Sequence, residues 1–209
     1  MLFENKITQN KNAFLAKVKA ISSDLGINPN WLMGVMNFES AGTFRPDIQN
    51  PYSNATGLIQ FMPSTAKGLG TSIESLKQMS NVEQLDYVKK YLLPFKTKMK
   101  SFVDVYLSVF YPLAVGKPDN YIVGSHNNTE SIIVKQNKPF DYNKNGQITK
   151  KEIENMLFER MPEMKSFAGS SSQKSNKKRN IIIIVSIVIV VAVVFYYRKP
   201  ICSFIKNIF

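Results

Sequence analysis

The chain has 209 residues, of which 44% are hydrophobic, and its formal net charge is +12. This length suits one domain of ordinary size with appendages, and the apolar fraction is sufficient for a real core. The single Cys202 excludes an intramolecular disulfide and a redox thiol pair, and the single His126 gives no indication of a zinc centre.

Hydrophobic periodicity predicts a first helix over 12–25. Apolar side chains recur there at three- and four-residue spacings, at Phe14, Val18, Ile21 and Leu25. Similar spacing predicts helices over 82–93 and 102–110. No segment shows a sustained two-residue alternation of apolar and polar residues. We therefore expect an all-α fold in the first two thirds of the chain.

A second helix should begin at Asn28 and carry Glu39 at its far end. The Asn28 side chain can accept from the free N–H groups of the first turn, and Pro29 follows where a missing N–H costs nothing. Glu39 lies four residues after Val35, on the apolar stripe of this helix and at the negative end of its dipole. Burial and the dipole both disfavour the ionised carboxylate, so we expect the raised pKa that a general acid requires.

Two short motifs around this helix point to a family. Glu39 is followed by Ser40, and residues 57–62 read GLIQFM. These residues resemble the glutamate-serine and glycine-leucine-x-glutamine motifs of the lytic transglycosylases (SLT domain), peptidoglycan-cleaving enzymes with the goose-type lysozyme (glycoside hydrolase family 23) fold. The resemblance covers about 14–116 and implies a lysozyme-like domain in which Glu39 is the sole acid/base. The alternative for Glu39 is a capping or salt-bridged residue.

The resemblance also implies sugar-binding residues. Ser40 would help to orient Glu39, and Gln60 would contact sugar from the opposite lip of the cleft. Aromatic residues near the motifs can stack on sugar rings. These residues are Tyr52, Phe61 and Tyr111.

The third motif of the family is only partly present. That motif reads alanine-tyrosine-asparagine-alanine-glycine, and the nearest match is VFYPLAVG at 109–116. Tyr111 can stand for the tyrosine, but Pro112 replaces the asparagine. This departure affects how the second step of the family's reaction, in which the sugar intermediate reacts, is expected to proceed. It leaves the role of Glu39 unchanged.

The expected reaction depends on how many carboxylates take part, because most glycosidases use two. The only acidic residue near Glu39 in sequence is Asp47, which can instead pair with Arg45 in a turn. Without a second carboxylate, the resemblance implies that the N-acetyl group of N-acetylmuramic acid (MurNAc) is the nucleophile and that a 1,6-anhydro sugar forms. The alternatives are hydrolysis by a lysozyme, with Asp47 positioning water, and a non-catalytic glycan-binding anchor.

A separate pattern, DYNKNGQITKKE, occupies 141–152. It places oxygen ligands at the alternating positions of a twelve-residue, EF-hand-like calcium loop. The ligands would be Asp141, Asn143, Asn145, Gln147, Thr149 and Glu152. Gly146 permits the sharp turn, and Ile148 would tie the loop to a core. Only two ligands carry formal charge, so we expect a structural Ca²⁺ of modest affinity and no organic cofactor. The alternative is a polar turn before a helix.

The last forty residues differ in character from the rest. Residues 168–178 are rich in Ser, Lys and Asn, which predicts a flexible linker. From Ile181 to Tyr197 the chain is almost entirely apolar and would span roughly 25 Å as a helix, against a hydrocarbon core of ~30 Å. Basic residues flank this segment on both sides, and aromatic residues lie at its end. We therefore predict a single-pass transmembrane helix that contacts the lipid bilayer.

The predicted organisation has five parts. They are a lysozyme-like domain over 1–125, a calcium-loop extension packed on it over 126–165, a flexible basic linker over 166–180, a transmembrane helix over 181–198 and a short tail over 199–209. Residues 171–209 hold seven Lys/Arg and no acid, so the remaining 170 residues carry 20 minus 15, or +5. This mild excess suits anionic peptidoglycan strands. No basic recognition element for nucleic acid is present.

The expected location follows from the ends of the chain. Residues 1–12 contain no apolar segment of signal-peptide length. Four Lys/Arg lie between 174 and 179 and two directly follow the apolar segment, which favours a cytoplasmic N-terminal domain. We hypothesise a bacteriophage virion protein, held in an internal virion membrane beside other virion proteins, which opens the wall when the phage enters a cell. The alternative is a host wall-remodelling enzyme in the bacterial inner membrane that faces the periplasm.

Overall fold

The computed structural model describes residues 1–169, and of Asn127 only the backbone. The predicted transmembrane helix from Ile181 to Tyr197, the tail and most of the linker lie outside the described residues. None of the helices within residues 1–169 has the length and apolar content needed to cross a bilayer.

The described residues fold into α-helices joined by turns and short 3-10 segments. The helices are α1 (Lys11–Leu25), α2 (Pro29–Glu39), α3 (Pro63–Gly68), α4 (Ile73–Gln78), α5 (Asn81–Leu92), α6 (Phe102–Phe110), α7 (Glu130–Gln136) and α8 (Lys150–Arg160). Within residues 1–169, β-structure is limited to isolated bridges. The prediction of a mostly helical fold is confirmed, and α1, α5 and α6 begin and end within one residue of the predicted bounds. Helices α3, α4 and α7 have only six or seven residues, too few to show a hydrophobic period.

Helix α2 lies at the centre of the core. Asn28 Oδ1 accepts from Asn30 N at 2.9 Å, and Pro29 is the first helical residue, as the sequence predicts. Seven consecutive residues, from Trp31 to Asn37, are buried. Neighbours therefore surround this helix on all sides, whereas the sequence predicts contact along one apolar stripe only. Helices α1 and α6 pack against it.

The segment after α8 packs back on α2. Trp31 Nε1 donates to the carbonyl of Phe167 at 2.6 Å, across 136 residues of sequence. A Cβ added to Gly34 would lie 2.9 Å from Met164, so α2 and the 3-10 segment Pro162–Phe167 are in close contact. Phe167, at the start of the predicted linker, thus packs against the core, whereas Ser166 before it is exposed.

A buried ion pair joins α6 to α8. Lys150 Nζ donates to Asp104 Oδ1 at 2.6 Å and to the carbonyl of Lys117 at 2.8 Å, and both charged side chains are almost fully buried. Asp104 also accepts from Gly116 N at 2.9 Å and from Ser101 Oγ at 3.0 Å. Because both charges are well compensated, the pair fixes the position of α8, and of the loop before it, against α6.

Candidate active site

Glu39 is the last residue of α2 and is partly exposed. No protein donor among the described residues hydrogen-bonds its carboxylate, and burial raises its pKa to about 7. No acidic neighbour contributes to this shift. The expected raised pKa therefore has burial as its cause, and a large fraction of Glu39 is protonated at neutral pH.

Two tyrosines lie beside Glu39. Burial, followed by the charge of Glu39, raises the pKa of both Tyr91 in α5 and Tyr106 in α6. Phe38 packs edge-on against Tyr106, with ring centroids 5.3 Å apart. The Tyr91 hydroxyl donates to the carbonyl of Ser108 at 2.7 Å. One wall of the site is therefore aromatic and is formed by α5 and α6.

Sequence analysis did not identify these two tyrosines. Each lies on a helix face that packs into the core, where hydrophobic periodicity assigns an aromatic ring to packing alone. The available signal was the hydroxyl, because a buried tyrosine hydroxyl normally requires a polar partner.

Tyr111 occupies a different place from the one expected. It directly follows α6, and its hydroxyl is hydrogen-bonded to Thr129 and to the backbone of Gly124. Burial raises the pKa of Tyr111, and Glu39 is not among the groups that influence it. The structure thus ties Tyr111 to the loop before α7. The tyrosine of α6 that borders Glu39 is Tyr106.

Gln60 closes the tight turn of the GLIQ motif. Its φ of 53° lies in the left-handed region, which residues other than glycine rarely adopt. Its Nε2 donates to the carbonyls of Ile48 at 3.3 Å and Gly57 at 3.2 Å. The amide is therefore held in one orientation. No donor within residues 1–169 engages its Oε1, so this oxygen can accept from a ligand.

The two aromatic residues of this region differ in accessibility. Phe61 is only 2% exposed and packs edge-on against Tyr91, with centroids 6.2 Å apart. The expectation that Phe61 stacks on sugar is therefore wrong; it supports the aromatic wall from behind. Tyr52 is 96% exposed at the tip of a turn in which Asn50 Oδ1 accepts from Tyr52 N at 2.9 Å. Since Tyr91 borders Glu39 and touches Phe61, the Gln60 turn adjoins the wall of the site.

Ser40 is fully buried and does not face the cleft. Its Oγ accepts from Phe44 N at 2.9 Å, and its carbonyl accepts from Thr43 N at 3.0 Å. Phe44 has a φ of 51°, so this contact stabilises a strained loop directly after Glu39. These hydrogen bonds fit the expected role of Ser40 in orienting Glu39, and its burial leaves no direct contact with sugar.

Asp47 is paired with Arg45. Arg45 Nη2 and Nε donate to the two carboxylate oxygens at 2.6 and 2.9 Å. These hydrogen bonds hold the pKa of Asp47 below its ordinary value. Asp47 therefore fits the interpretation of a turn residue and is already engaged by a cation.

The predicted calcium loop joins the 3-10 segment Lys138–Phe140 to α8. Asp141 accepts from Asn145 N and Gly146 N, both at 3.0 Å, and Gly146 has a φ of 80°. Glu152 Oε1 lies 3.4 Å from Asn143 N, so residues from both ends of the loop face its interior.

The chemistry of the donor set fits a hard cation such as Ca²⁺. The side chains that face the loop carry carboxylate, amide and hydroxyl oxygens. Among residues 1–169, no group of three or more His, Cys, Asp or Glu side chains is placed to hold a metal ion. The loop itself contains two carboxylates, those of Asp141 and Glu152. Ile148 is fully buried, and its carbonyl accepts from Val123 N at 2.8 Å, which anchors the loop to the core as expected.

Comparison with known protein families gives a match over residues 17–92, to the family described as the transglycosylase SLT domain. The matched range contains α2 with Glu39, the Gln60 turn and α5 with Tyr91. The proteins of this family are lytic transglycosylases that act on peptidoglycan. No curated protein matches the chain significantly.

Replacing Glu39 with glutamine should make the fold less sensitive to pH. The pKa of Glu39 is raised from 4.5 to about 7, so its ionised form destabilises the folded state. The loss of folding stability is absent at pH values below 4.5 and grows as the pH rises from 4.5 to about 7. Above this range it is complete and reaches at most about 3 kcal/mol. Chemical denaturation should show Glu39→Gln close to wild type near pH ~4 and more stable near pH ~8. Parallel stability curves for the two proteins would contradict burial of Glu39.

Proposed function

We propose that the chain is an enzyme that acts on peptidoglycan, because residues 17–92 match the transglycosylase SLT domain, and that Glu39 is its catalytic acid and base. The proposed reaction cleaves the β-1,4 bond between MurNAc and N-acetylglucosamine (GlcNAc) and forms 1,6-anhydroMurNAc. The observation that carries this proposal is the pKa of about 7 of Glu39, at the end of α2 beside an aromatic wall.

In the first step, neutral Glu39 donates its proton to the glycosidic oxygen. The bond from this oxygen to C1 of MurNAc breaks, and GlcNAc leaves with a free 4-hydroxyl. No acidic neighbour influences the pKa of Glu39, so the electron pair for C1 comes from the substrate. The carbonyl oxygen of its N-acetyl group bonds to C1.

In the second step, ionised Glu39 accepts the proton of the MurNAc 6-hydroxyl. O6 then bonds to C1, the N-acetyl oxygen is released, and Glu39 is again neutral. No water is consumed. The wall of Tyr91 and Tyr106 limits access of competing water, and Gln60 Oε1 can accept a hydrogen bond from sugar.

Two alternatives are less well supported. Hydrolysis needs a second carboxylate to position water, and the nearest candidate in sequence, Asp47, is held by Arg45 in a two-point ion pair. A non-catalytic glycan binder has no use for a glutamate with a pKa near neutrality, since burial of that carboxylate costs stability whenever it is ionised.

Digestion of purified peptidoglycan tests the proposal. The full chain should clear the wall suspension, and Glu39→Gln should lower the rate by at least about a thousandfold, because it removes the only acid/base. Asp47→Asn is the matched control and should retain most of the activity. Mass spectrometry of the products should find anhydro ends. Reducing ends would favour hydrolysis, and clearing by Glu39→Gln would exclude Glu39 as the catalyst.

We also propose that the loop from Asp141 to Glu152 binds Ca²⁺ as a structural ion. Calcium should raise the thermal unfolding midpoint of the full chain by a few degrees at about ten times its dissociation constant. Glu152→Gln should abolish this rise, because it removes one of two charged ligands. Glu154 lies in the same helix but outside the loop, so Glu154→Gln should preserve the calcium-dependent rise in the unfolding midpoint. An equal calcium effect in both variants would contradict the site.

The membrane anchor and the virion location are proposals that rest on sequence alone. The apolar segment from Ile181 to Tyr197 and its basic flanks support a bilayer anchor. The protein should then be found in the membrane fraction of purified phage particles, released by detergent and not by high salt. Its absence from particles, or removal of residues 1–169 by protease added to intact host cells, would favour a host wall-remodelling enzyme instead.

A further inference from the structure

The side-chain amide of Gln84 is fully buried and makes three hydrogen bonds in the core. Gln84 lies in the first turn of α5 and is 0% exposed. The start of α5 is fixed by a capping box, in which Ser80 and Glu83 each bond the backbone of the other. The side chain therefore extends from a rigid base and is shielded from solvent.

Gln84 bonds three separate segments. Its Oε1 accepts from Leu58 N at 2.7 Å, and its Nε2 donates to the carbonyls of Pro46 and Leu76, both at 3.0 Å. Leu58 lies inside the Gln60 turn. Pro46 belongs to the loop that follows the catalytic helix. One side chain thus ties both of these segments to α5.

Gly57 leaves the space that this side chain needs. Gly57 has a φ of 85°, and a Cβ added there would lie 2.3 Å from Gln84 Oε1. Any larger residue would push the amide away from Leu58 N. The glycine of the GLIQ motif and Gln84 are therefore a matched pair, although 27 positions separate them in sequence.

Helix α5 holds the Gln60 turn at two points on one face. Gln84 and Tyr91 are seven residues apart, which places them on the same side of the helix two turns apart. Gln84 bonds Leu58, and Tyr91 packs on Phe61. The turn cannot move relative to Tyr91 without breaking one of these contacts.

We propose that Gln84 is a positioning residue for substrate: it sets the distance between the Gln60 turn and the aromatic wall that carries Tyr91 and borders Glu39. This inference rests on the proposed function, because it assumes that glycan lies between these two surfaces. Gln84 touches no substrate itself. Its loss should weaken glycan binding through displacement of Gln60 and leave the chemistry of Glu39 largely intact.

The test replaces Gln84 with methionine in the full chain, which keeps the length of the side chain and removes its polar atoms. KM for peptidoglycan should rise by about tenfold while kcat stays within about threefold, since a binding contact is lost. Binding of peptide-free glycan strands, measured by calorimetry with Glu39→Gln as the parent, should weaken by the same factor.

A matched control lies in the same helix. Asn81 is also buried, and it bonds the carbonyl of Gln9 and the side chain of Asn10, away from the Gln60 turn. Asn81→Leu should lower the thermal unfolding midpoint, as Gln84→Met does, but should leave KM unchanged. If Gln84→Met lowers the thermal unfolding midpoint but has the same KM as wild type, Gln84 is a purely structural residue and the proposal is overturned.

Gly57→Ala provides a second route if Gln84→Met does not fold. It should displace the amide and raise KM, and combining it with Gln84→Ala should add little further, because the two changes break the same contact. Additive effects on KM would contradict the matched pair. If the unmodified chain neither clears peptidoglycan nor binds glycan strands, the proposed function fails and this inference fails with it. Clearing by wild type with unchanged KM in the variants refutes this inference alone.

Discussion

Burial of one carboxylate at the end of a fully surrounded helix is the constraint on which the site depends. Helix α2 is buried on every side from Trp31 to Asn37, and Glu39 at its end is only partly exposed. No described donor compensates its charge, and the neutral form is favoured. The neighbours that surround the end of α2 therefore raise the pKa of Glu39, by excluding water from it.

The residues beyond the matched SLT range belong to this arrangement. Trp31 is bonded to Phe167, and the buried pair of Asp104 and Lys150 locks α8 to the helix that carries Tyr106. The loop proposed to bind Ca²⁺ leads into α8 and includes its first residues. A bound ion would accordingly act on the stability and position of the aromatic wall, through rigid packing, and take no part in the chemistry.

The opposite side of the site is built from turns that polar side chains hold in place. No strand is present there in the described chain, only isolated bridges. Ser40 bonds the strained residue Phe44, and Gln84 bonds the turn that ends at the strained residue Gln60. Buried hydrogen bonds thus hold these turns in place, and the strained residues Phe44 and Gln60 lie within them.

Local features could be predicted from the sequence because their physical causes lie within a few residues. Caps and periodicity predicted α1, α2, α5 and α6, and Asp47 meets Arg45 because they are two positions apart. The place of Glu39 on the apolar stripe of α2 predicted its raised pKa, although the burial that causes it comes from packing between helices. Contacts between elements were decided only by the tertiary structure. It placed Tyr106 beside Glu39, turned Ser40 inward and buried Phe61. Periodicity specifies which residues share a helix face, but which element packs against that face depends on how the chain folds in three dimensions.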